Sequence, residues 1–232
     1  MNIALVLSGG TGERAGTDIP KQYVEVSGKP LISYSLERLS AHGGIDALHI
    51  VANPYWHESI KEWLKSADIG KKFSGFSVPG KNRQLSILHG LEDIRRYSAV
   101  SDCVLIHDAA RPALSEVLVT ACLEAVKNHE GVLPVLPMKD TVYGSSDGKT
   151  VTRLLDRAQI FAGQAPEVFR FGPYYEANRR LLPDQIMGIN GSAEAAVLAG
   201  MDVVMIPGDE KNVKITTKED LERFRQTAGG LG

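Results

Sequence analysis

The stretch Ile3-Ala4-Leu5-Val6-Leu7-Ser8-Gly9-Gly10-Thr11-Gly12-Glu13-Arg14, running on to Pro20-Lys21-Gln22, decides the fold. Its first five residues are an uninterrupted apolar run, the signature of a strand buried on both faces. The glycines that follow let the backbone approach a ligand closely. Arg14 and Lys21 then supply two cations. Exposed amide N–H groups beside two fixed cations make a site for several phosphates, which suits a nucleoside triphosphate better than a dinucleotide.

Two other glycine-rich phosphate loops fit less well. Gly10-Thr11-Gly12 opens toward a dinucleotide fingerprint, but Gly16 falls one residue late for G-x-G-x-x-G. That fingerprint also needs a helix beginning in the glycines and an acidic residue ending the second strand. Gly16-Thr17-Asp18 and Pro20 oppose the helix, and the second apolar run ends in Val51-Ala52-Asn53-Pro54 without a carboxylate. A Walker-type loop would close on Gly-Lys-Ser/Thr, which is absent.

Further apolar runs recur at Ala47–Ala52, Phe76–Val78, Val104–Ile106, Gly131–Leu136 and Val203–Ile206. Between them lie segments of helical period: Leu31–Leu39, His57–Leu64, Gln84–Ile94, Val117–Val126, Ala193–Ala199 and Glu219–Phe224. This alternation predicts an α/β fold with a mainly parallel sheet and helices on both faces. Residues 1–232 are expected to form one domain. Ligands of such sheets sit beyond the carboxyl ends of the strands, which places the first loop and the segment after Ile106 on one rim. One segment breaks the rhythm. In 137–157, Asp140-Thr141-Val142-Tyr143 and Thr150-Val151-Thr152 flank an Asp147-Gly148 turn, which predicts a projecting β-hairpin arm.

Composition narrows the function classes. A net charge of −2 over 232 residues offers no bulk attraction to nucleic acid. No apolar stretch reaches the roughly 20 residues of a membrane span, and no secretory leader is expected before Ile3. Cys103 and Cys122 lie in apolar runs without metal-ligand spacing, and are expected to be buried thiols in a cytoplasmic, reducing setting.

The second chemical cluster is His107-Asp108-Ala109-Ala110-Arg111-Pro112. A carboxylate at a strand's carboxyl end can hold a divalent cation or a ribose hydroxyl. The two alanines keep the adjoining wall small enough for a flat base or sugar, and Arg111 faces a second anion. Ser115 is a better cap for the following helix than Asp108. His107 is expected to be a packed strand-end residue rather than a catalyst.

Taken together, Ser8–Arg14, Pro20-Lys21-Gln22, Gly80 with Arg83 and Ser86, His107–Pro112, Asp140-Thr141, Asp156-Arg157 and Asn212-Val213-Lys214 resemble, in order and over essentially the whole chain, the polyol-phosphate cytidylyltransferases. The best-known members of that family act on 2-C-methyl-D-erythritol 4-phosphate or ribitol 5-phosphate. The resemblance implies a Rossmann-like nucleotidyltransferase fold, CTP as co-substrate and Mg²⁺ as cofactor. Arg14, Lys21 and Lys214 would stabilise charge on the α-phosphate and the leaving pyrophosphate. Ser8, Gly9, Gly10, Thr11 and Gly12 would cradle the phosphates, and Arg83, Ser86, Asp108 and Ala109 would surround cytosine and ribose. Asp108 would also be the metal ligand. Thr141 and Arg157, with Arg111 nearby, would hold the polyol phosphate, and the arm would exchange between two subunits of a homodimer.

The chemistry is consistent with that division. A phosphomonoester oxygen is already ionised near neutral pH, so the transfer needs alignment and charge neutralisation rather than a strong base. Departures from the family pattern all lie toward the acceptor. Ala165 stands in Gln164-Ala165-Pro166 where members usually carry threonine, Asn190–Glu194 replaces a Thr-Asp helix start, and Lys211 replaces an acidic residue before Asn212. Gln164 or Ser192 is expected to supply the missing donor, and Asn190 with Ser192 reads as a helix N-terminus. First choice for the acceptor is methylerythritol 4-phosphate. Ribitol 5-phosphate or another surface-polymer polyol phosphate is the alternative. The alternative of another class is an NAD(P)-dependent oxidoreductase, which would bind NAD(H) and need no divalent metal. A catalytically silent nucleotide-binding relative is a third, opposed by the intact Arg14, Lys21, Asp108 and Lys214. Trp56 and Trp63 are expected to pack one helix face. Lys71-Lys72 and Arg95-Arg96 are expected to be solvated charge, and 229–232 a disordered tail.

Overall fold

Strand and helix alternate along most of the chain, in the order the apolar periods predict. A computed structural model describes residues 1–10, 19–67 and 69–228. Strand β1 is Asn2–Leu7. Past the first loop come a single turn of 3₁₀ helix at Lys21–Tyr23 and a short antiparallel pair, β2 (Glu25–Val26) and β3 (Lys29–Pro30). There follow α1 (Leu31–Ala41), β4 (Ala47–Val51), α2 (His57–Ser66), β5 (Phe73–Ser77), α3 (Arg83–Ile94), β6 (Cys103–Asp108), α4 (Glu116–Ala125) and β7 (Gly131–Pro137). The arm strands β8 (Val142–Gly144) and β9 (Arg153–Leu155) come next. They are succeeded by β10 (Phe161–Gly163), β11 (Glu167–Arg170), α5 (Phe171–Arg180), α6 (Ser192–Leu198), β12 (Val203–Pro207) and α7 (Lys218–Ala228).

Among the described residues, eight strands form one mixed sheet. At its centre β1 pairs in parallel with both β4 and β6, and β5 extends it beyond β4. On the other side β11 runs antiparallel between β6 and β7. Val135 of β7 has Gly163 of β10 on one side and Pro207 of β12 on the other, so β10 prolongs the β11 ribbon and β12 closes that edge. Period-two alternation divides β1 between two cores. Ala4 and Val6 pack with α1, α2 and α4, whereas Ile3 and Leu5 pack with α3, α5 and α6. A third cluster joins α7 to α1 through Leu31, Tyr34, Leu221 and Phe224. Among the described residues no helix is long and apolar enough to cross a membrane.

The sequence reading missed β10, β11 and α5. Both strands are too short to show a period, and Gly172-Pro173 reads as a helix breaker although it occupies the first turn of α5, where proline's missing N–H costs nothing. The fifth strand begins at Phe73, three residues before the predicted Phe76, through a register shift at Leu48/His49. The hairpin is present, but its return strand is Arg153–Leu155 rather than Thr150-Val151-Thr152. Asp147 accepts from the amides of Lys149 and Thr150, each at 2.8 Å, and this lengthens the turn. The 229–232 tail lies outside the described residues.

Candidate active site

Parallel pairing brings Leu7 level with Asp108 on one side and Val51 on the other. The loops leaving β1, β5 and β6 therefore emerge together at the carboxyl edge of the sheet. They enclose a cleft of about 700 Å³ lined by Gly9, Gly10, Lys21, Arg83, Asp108 and Lys214, with Gln22, Lys81, Asn82, Ser86, Ala109 and Ala110 also at its wall. A cavity of similar size, about 760 Å³, opens at the opposite end of the sheet around Arg95, Tyr175 and Arg180. Only the first gathers the loop glycines, Lys21 and the Asp108 cluster, and the chemistry belongs there.

Asp108 is the hub of the cleft floor. Its Oδ1 accepts from Arg83 Nε (3.1 Å) and Nη2 (3.0 Å), and its Oδ2 lies 2.8 Å from Lys214 Nζ and 3.8 Å from Arg111 Nε. Burial pushes its carboxyl up, but Arg83, Lys214 and Arg111 outweigh this and hold it well below the usual carboxylate range. The floor thus keeps a fixed negative charge surrounded by three cations, with net positive charge left for a polyanion. His107, behind it, is fully buried, with Nε2 3.2 Å from both Ser35 Oγ and the Arg111 carbonyl. Burial drives its pKa down to about 4, so it is a neutral packed residue, as predicted.

Local chemistry shapes the rim. Gln22 Nε2 donates to the carbonyls of Ser8 (2.8 Å) and Gly10 (2.7 Å), pinning the first loop while its neighbour Lys21 faces the cleft. Tyr23, beneath, stacks on Trp56 at 4.2 Å and lies 5.9 Å from Trp63. Gly9 is required by proximity: a Cβ there would stand 2.5 Å from Cβ and Cγ of Pro79 in the opposite loop. At Gly80 a Cβ would meet Leu85 Cβ at 2.4 Å and the Ser86 backbone N at 2.8 Å. The Gly80 N–H donates to Ser86 Oγ (3.0 Å), and Asn82 caps α3 by accepting from the Leu85 amide (2.8 Å). Together these contacts aim Arg83, the first residue of α3, at Asp108.

The family model for IspD, 2-C-methyl-D-erythritol 4-phosphate cytidylyltransferase, matches residues 2–226. The chain belongs to this family. It is 35% identical over 219 residues to the bifunctional enzyme IspD/IspF of Bradyrhizobium diazoefficiens, covering 94% of this chain and 54% of that one. With the bifunctional enzyme IspD/IspF of Granulibacter bethesdensis it shares 35% over 224 residues, 97% of this chain and 55% of the relative. The chain spans about half the length of the curated relatives it matches. Its fold is that of solved 4-diphosphocytidyl-2C-methyl-D-erythritol synthase from Anaerococcus prevotii (TM-score 0.83, 24% identity, 98% and 96% coverage). The fold is also that of 2-C-methyl-D-erythritol 4-phosphate cytidylyltransferase from Francisella tularensis (TM-score 0.82, 23% identity, 100% and 99% coverage). Family membership sets aside the oxidoreductase alternative.

Within this IspD-family cleft the structure gathers most of the nucleotide-side residues read from the sequence: Gly9, Gly10, Lys21, Arg83, Ser86, Asp108, Ala109 and Lys214. Thr11, Gly12 and Arg14 lie outside the described residues. Ser8 is buried behind the loop, its hydroxyl donating to Tyr23 Oη (3.0 Å), and does not line the cleft. Arg111 is half-buried, Nη1 donating to the Asn212 carbonyl (2.7 Å), and serves the floor rather than the cleft wall.

On the acceptor side the expectations fare differently. Gln164 is occupied at both ends of its amide: Nε2 donates to the Asp209 carbonyl (3.0 Å) and Oε1 accepts from the Asp209 amide (2.9 Å). It joins β10 to the segment after β12, is buried and does not line the cleft. Ser192 is fully buried and accepts from Arg83 Nη1, so it too is engaged. Gly191, not Asn190 or Ser192, is the N-cap of α6. Thr141 and Arg157 are exposed on or beside the arm, away from the cleft, and Arg157 Nη1 donates to the Lys139 carbonyl (2.8 Å). Lys72 and Arg95, expected as solvated charge, contact the His42 carbonyl (2.8 Å) and Tyr175 Oη (3.3 Å).

Glu167 escaped the sequence reading. It is buried beside the floor, and burial, opposed by Arg83, lifts its carboxyl to about 7. No local pattern marks it, because it reaches the floor only through the antiparallel insertion of β11. As to metal, no group of three or more His, Cys, Asp or Glu able to hold an ion occurs among the described residues. Among the described residues Asp108 is the one carboxylate of the cleft lining, and both its oxygens contact cations. Such a donor set fits an ion that brings most of its oxygen ligands from the phosphates.

Proposed function

We propose that this chain transfers CMP from CTP to 2-C-methyl-D-erythritol 4-phosphate, releasing pyrophosphate. The observation that carries the reading is the cleft floor, where one ionised carboxylate organises Arg83, Arg111 and Lys214 beneath a glycine loop bearing Lys21. Ala109 and Ala110 leave room for a pyrimidine. An ionised oxygen of the acceptor phosphate attacks the α-phosphorus of CTP. That P–O bond forms as the α–β bond breaks, and the electron pair leaves with pyrophosphate. No group need accept a proton. Lys21 and Lys214, with Arg14, bind the triphosphate and neutralise the charge that builds on it. Asp108 would be the protein carboxylate for a Mg²⁺ ion bound mainly by the phosphates, and that ion would supply further charge neutralisation.

We place the acceptor phosphate against the arm. Thr141 and Arg157 are exposed and do not line the cleft of their own chain, which favours a homodimer in which each arm completes the partner's site. Gln164 and Ser192 are both buried within the fold and neither lines the cleft, which supports the same arrangement.

Pyrophosphate release with Mg²⁺ and CTP, measured against methylerythritol, ribitol, erythritol and glycerol phosphates, tests the reading. Rapid release with the first of these alone is the expected result, and turnover only with ribitol phosphate would reassign the acceptor. Lys21→Ala is expected to lower kcat by about 10²–10³ with the fold intact. Unchanged turnover in that variant would sink the phosphate-cradle model.

A further inference from the structure

Glu167 begins β11 directly opposite Ile106 of β6, and Asp108 lies two residues further along β6 on the same face of the sheet. The two carboxylates are therefore diagonal neighbours, typically about 7–8 Å apart at Cα. Arg83 reaches across them. Nε and Nη2 donate to Asp108, and Nη1 donates to Ser192 Oγ. Arginine has no acceptor, so the Ser192 hydroxyl must accept from Arg83, which leaves its own proton to donate. The neighbouring acid on this face is Glu167, whose carboxyl Ser192 draws down against the rise that burial gives it. The serine is itself held from behind, its carbonyl accepting from Tyr174 Oη (3.0 Å). Yet Glu167 Oε2 has no hydrogen-bond partner. A buried carboxyl with an unsatisfied oxygen weakens a fold, and an apolar residue of similar volume would serve packing as well or better.

On the cytidylyltransferase reading of the cleft, we infer that Glu167 is a positioning residue for the nucleotide: acting through the Ser192 hydroxyl, it fixes the guanidinium of Arg83 on the cleft floor. Asp108 holds two of the three guanidinium nitrogens. The Ser192–Glu167 pair holds the third and so sets the rotation of the group about the Asp108 contact.

The test compares E167L, E167Q, S192A and the double variant E167L/S192A in steady-state pyrophosphate release, with CTP binding followed by calorimetry. Because Arg83 keeps Asp108, each variant is expected to melt within about 3 °C of the wild type. E167L should raise KM and Kd for CTP about tenfold while kcat stays within about threefold. The amide oxygen of E167Q can still accept the serine proton, so that variant should recover most of the lost affinity. S192A should match E167L, and the double variant should be no worse than the poorer single, since both break one relay. Wild-type CTP affinity in E167L, a loss confined to kcat, additive losses in the double variant, or E167Q as impaired as E167L would each overturn the inference. If E167L does not fold, S192A alone decides, and unaltered CTP affinity there overturns it. A wild-type chain that releases no pyrophosphate would instead overturn the reading on which the inference rests.

Discussion

The cleft floor and the hairpin arm are built on opposite principles. The floor is assembled from distant parts of the chain: Arg83 from the start of α3, Asp108 from the end of β6, Ser192 from α6, Lys214 from the segment before α7. Arg83 and Lys214 are both paired with Asp108, which the sheet fixes at the end of β6. The arm is local. Val142 pairs with Leu155, only thirteen positions away, and Asp147 organises the turn through its own neighbours Ser145, Lys149 and Thr150. Tyr143 and Leu154 on the arm are largely exposed. A floor of that kind is preorganised in one chain. In our reading the arm, with its exposed apolar residues and an Arg157 that does not line the cleft, is completed by a second copy.

The sharpest way to break this contrast is at Asp108. Its replacement by alanine leaves Arg83, Arg111 and Lys214 facing one another without the carboxylate that pairs with all three. We expect a loss of about 3–5 kcal/mol of stability, seen in urea titration, and a fall in kcat/KM of at least about 10³. An Asp108→Ala protein with near-normal stability would show that the floor is not the preorganised element.

Acidification separates the regions next. His107 under the floor and His49 in β4 are both held near a pKa of about 4 by burial, against an ordinary value of 6.5. The folded state favours the neutral ring, so their contribution is fully present above about pH 6.5 and is lost as pH falls toward 4, on the order of 3 kcal/mol for each. Asp147, fully exposed, is held well below the usual carboxylate range by the Thr150 and Lys149 amides, and its turn should outlast the sheet in acid. Urea unfolding at pH 7, 5.5 and 4.5, with amide shifts of 145–150 followed by NMR, checks both halves.

Arg157→Ala should lower kcat/KM for the acceptor about 10²-fold while CTP affinity and melting temperature stay at wild type. Mixing it with the Lys214→Ala chain should restore part of the activity if arms serve the partner's cleft. No rescue, with the loss retained, would return Arg157 to its own subunit. The smallest effect is expected from Asp147→Ala. Amide exchange should quicken across 145–152 and the acceptor KM should rise about threefold, with the melting temperature of the whole chain unmoved.

Much of the site could be read in one dimension, because those features are local. The apolar run Ile3–Leu7 and the glycines after it announce a strand and a close-approach loop, and the Asp147-Gly148 turn announces a hairpin. Val104–Ile106 followed by His107-Asp108 places a carboxylate at a strand end whatever lies beside it. The errors share a cause. Gln164 and Ser192 looked like ligand donors because the sequence shows their chemistry but not their partners, Asp209 forty-five positions away and Arg83 more than a hundred. Glu167 looked like an ordinary polar residue because nothing in a four-residue strand says that it will be inserted antiparallel between β6 and β7. Side-chain period and turn chemistry are settled within a few residues, so the sequence by itself determined most of the elements, their order and the carboxyl-edge location of the chemistry, but not the short β10 and β11 or the proline-bearing α5. Which donors remain available, and which acid steadies which base, depends on strand pairing across the sheet, and only the tertiary structure decided it.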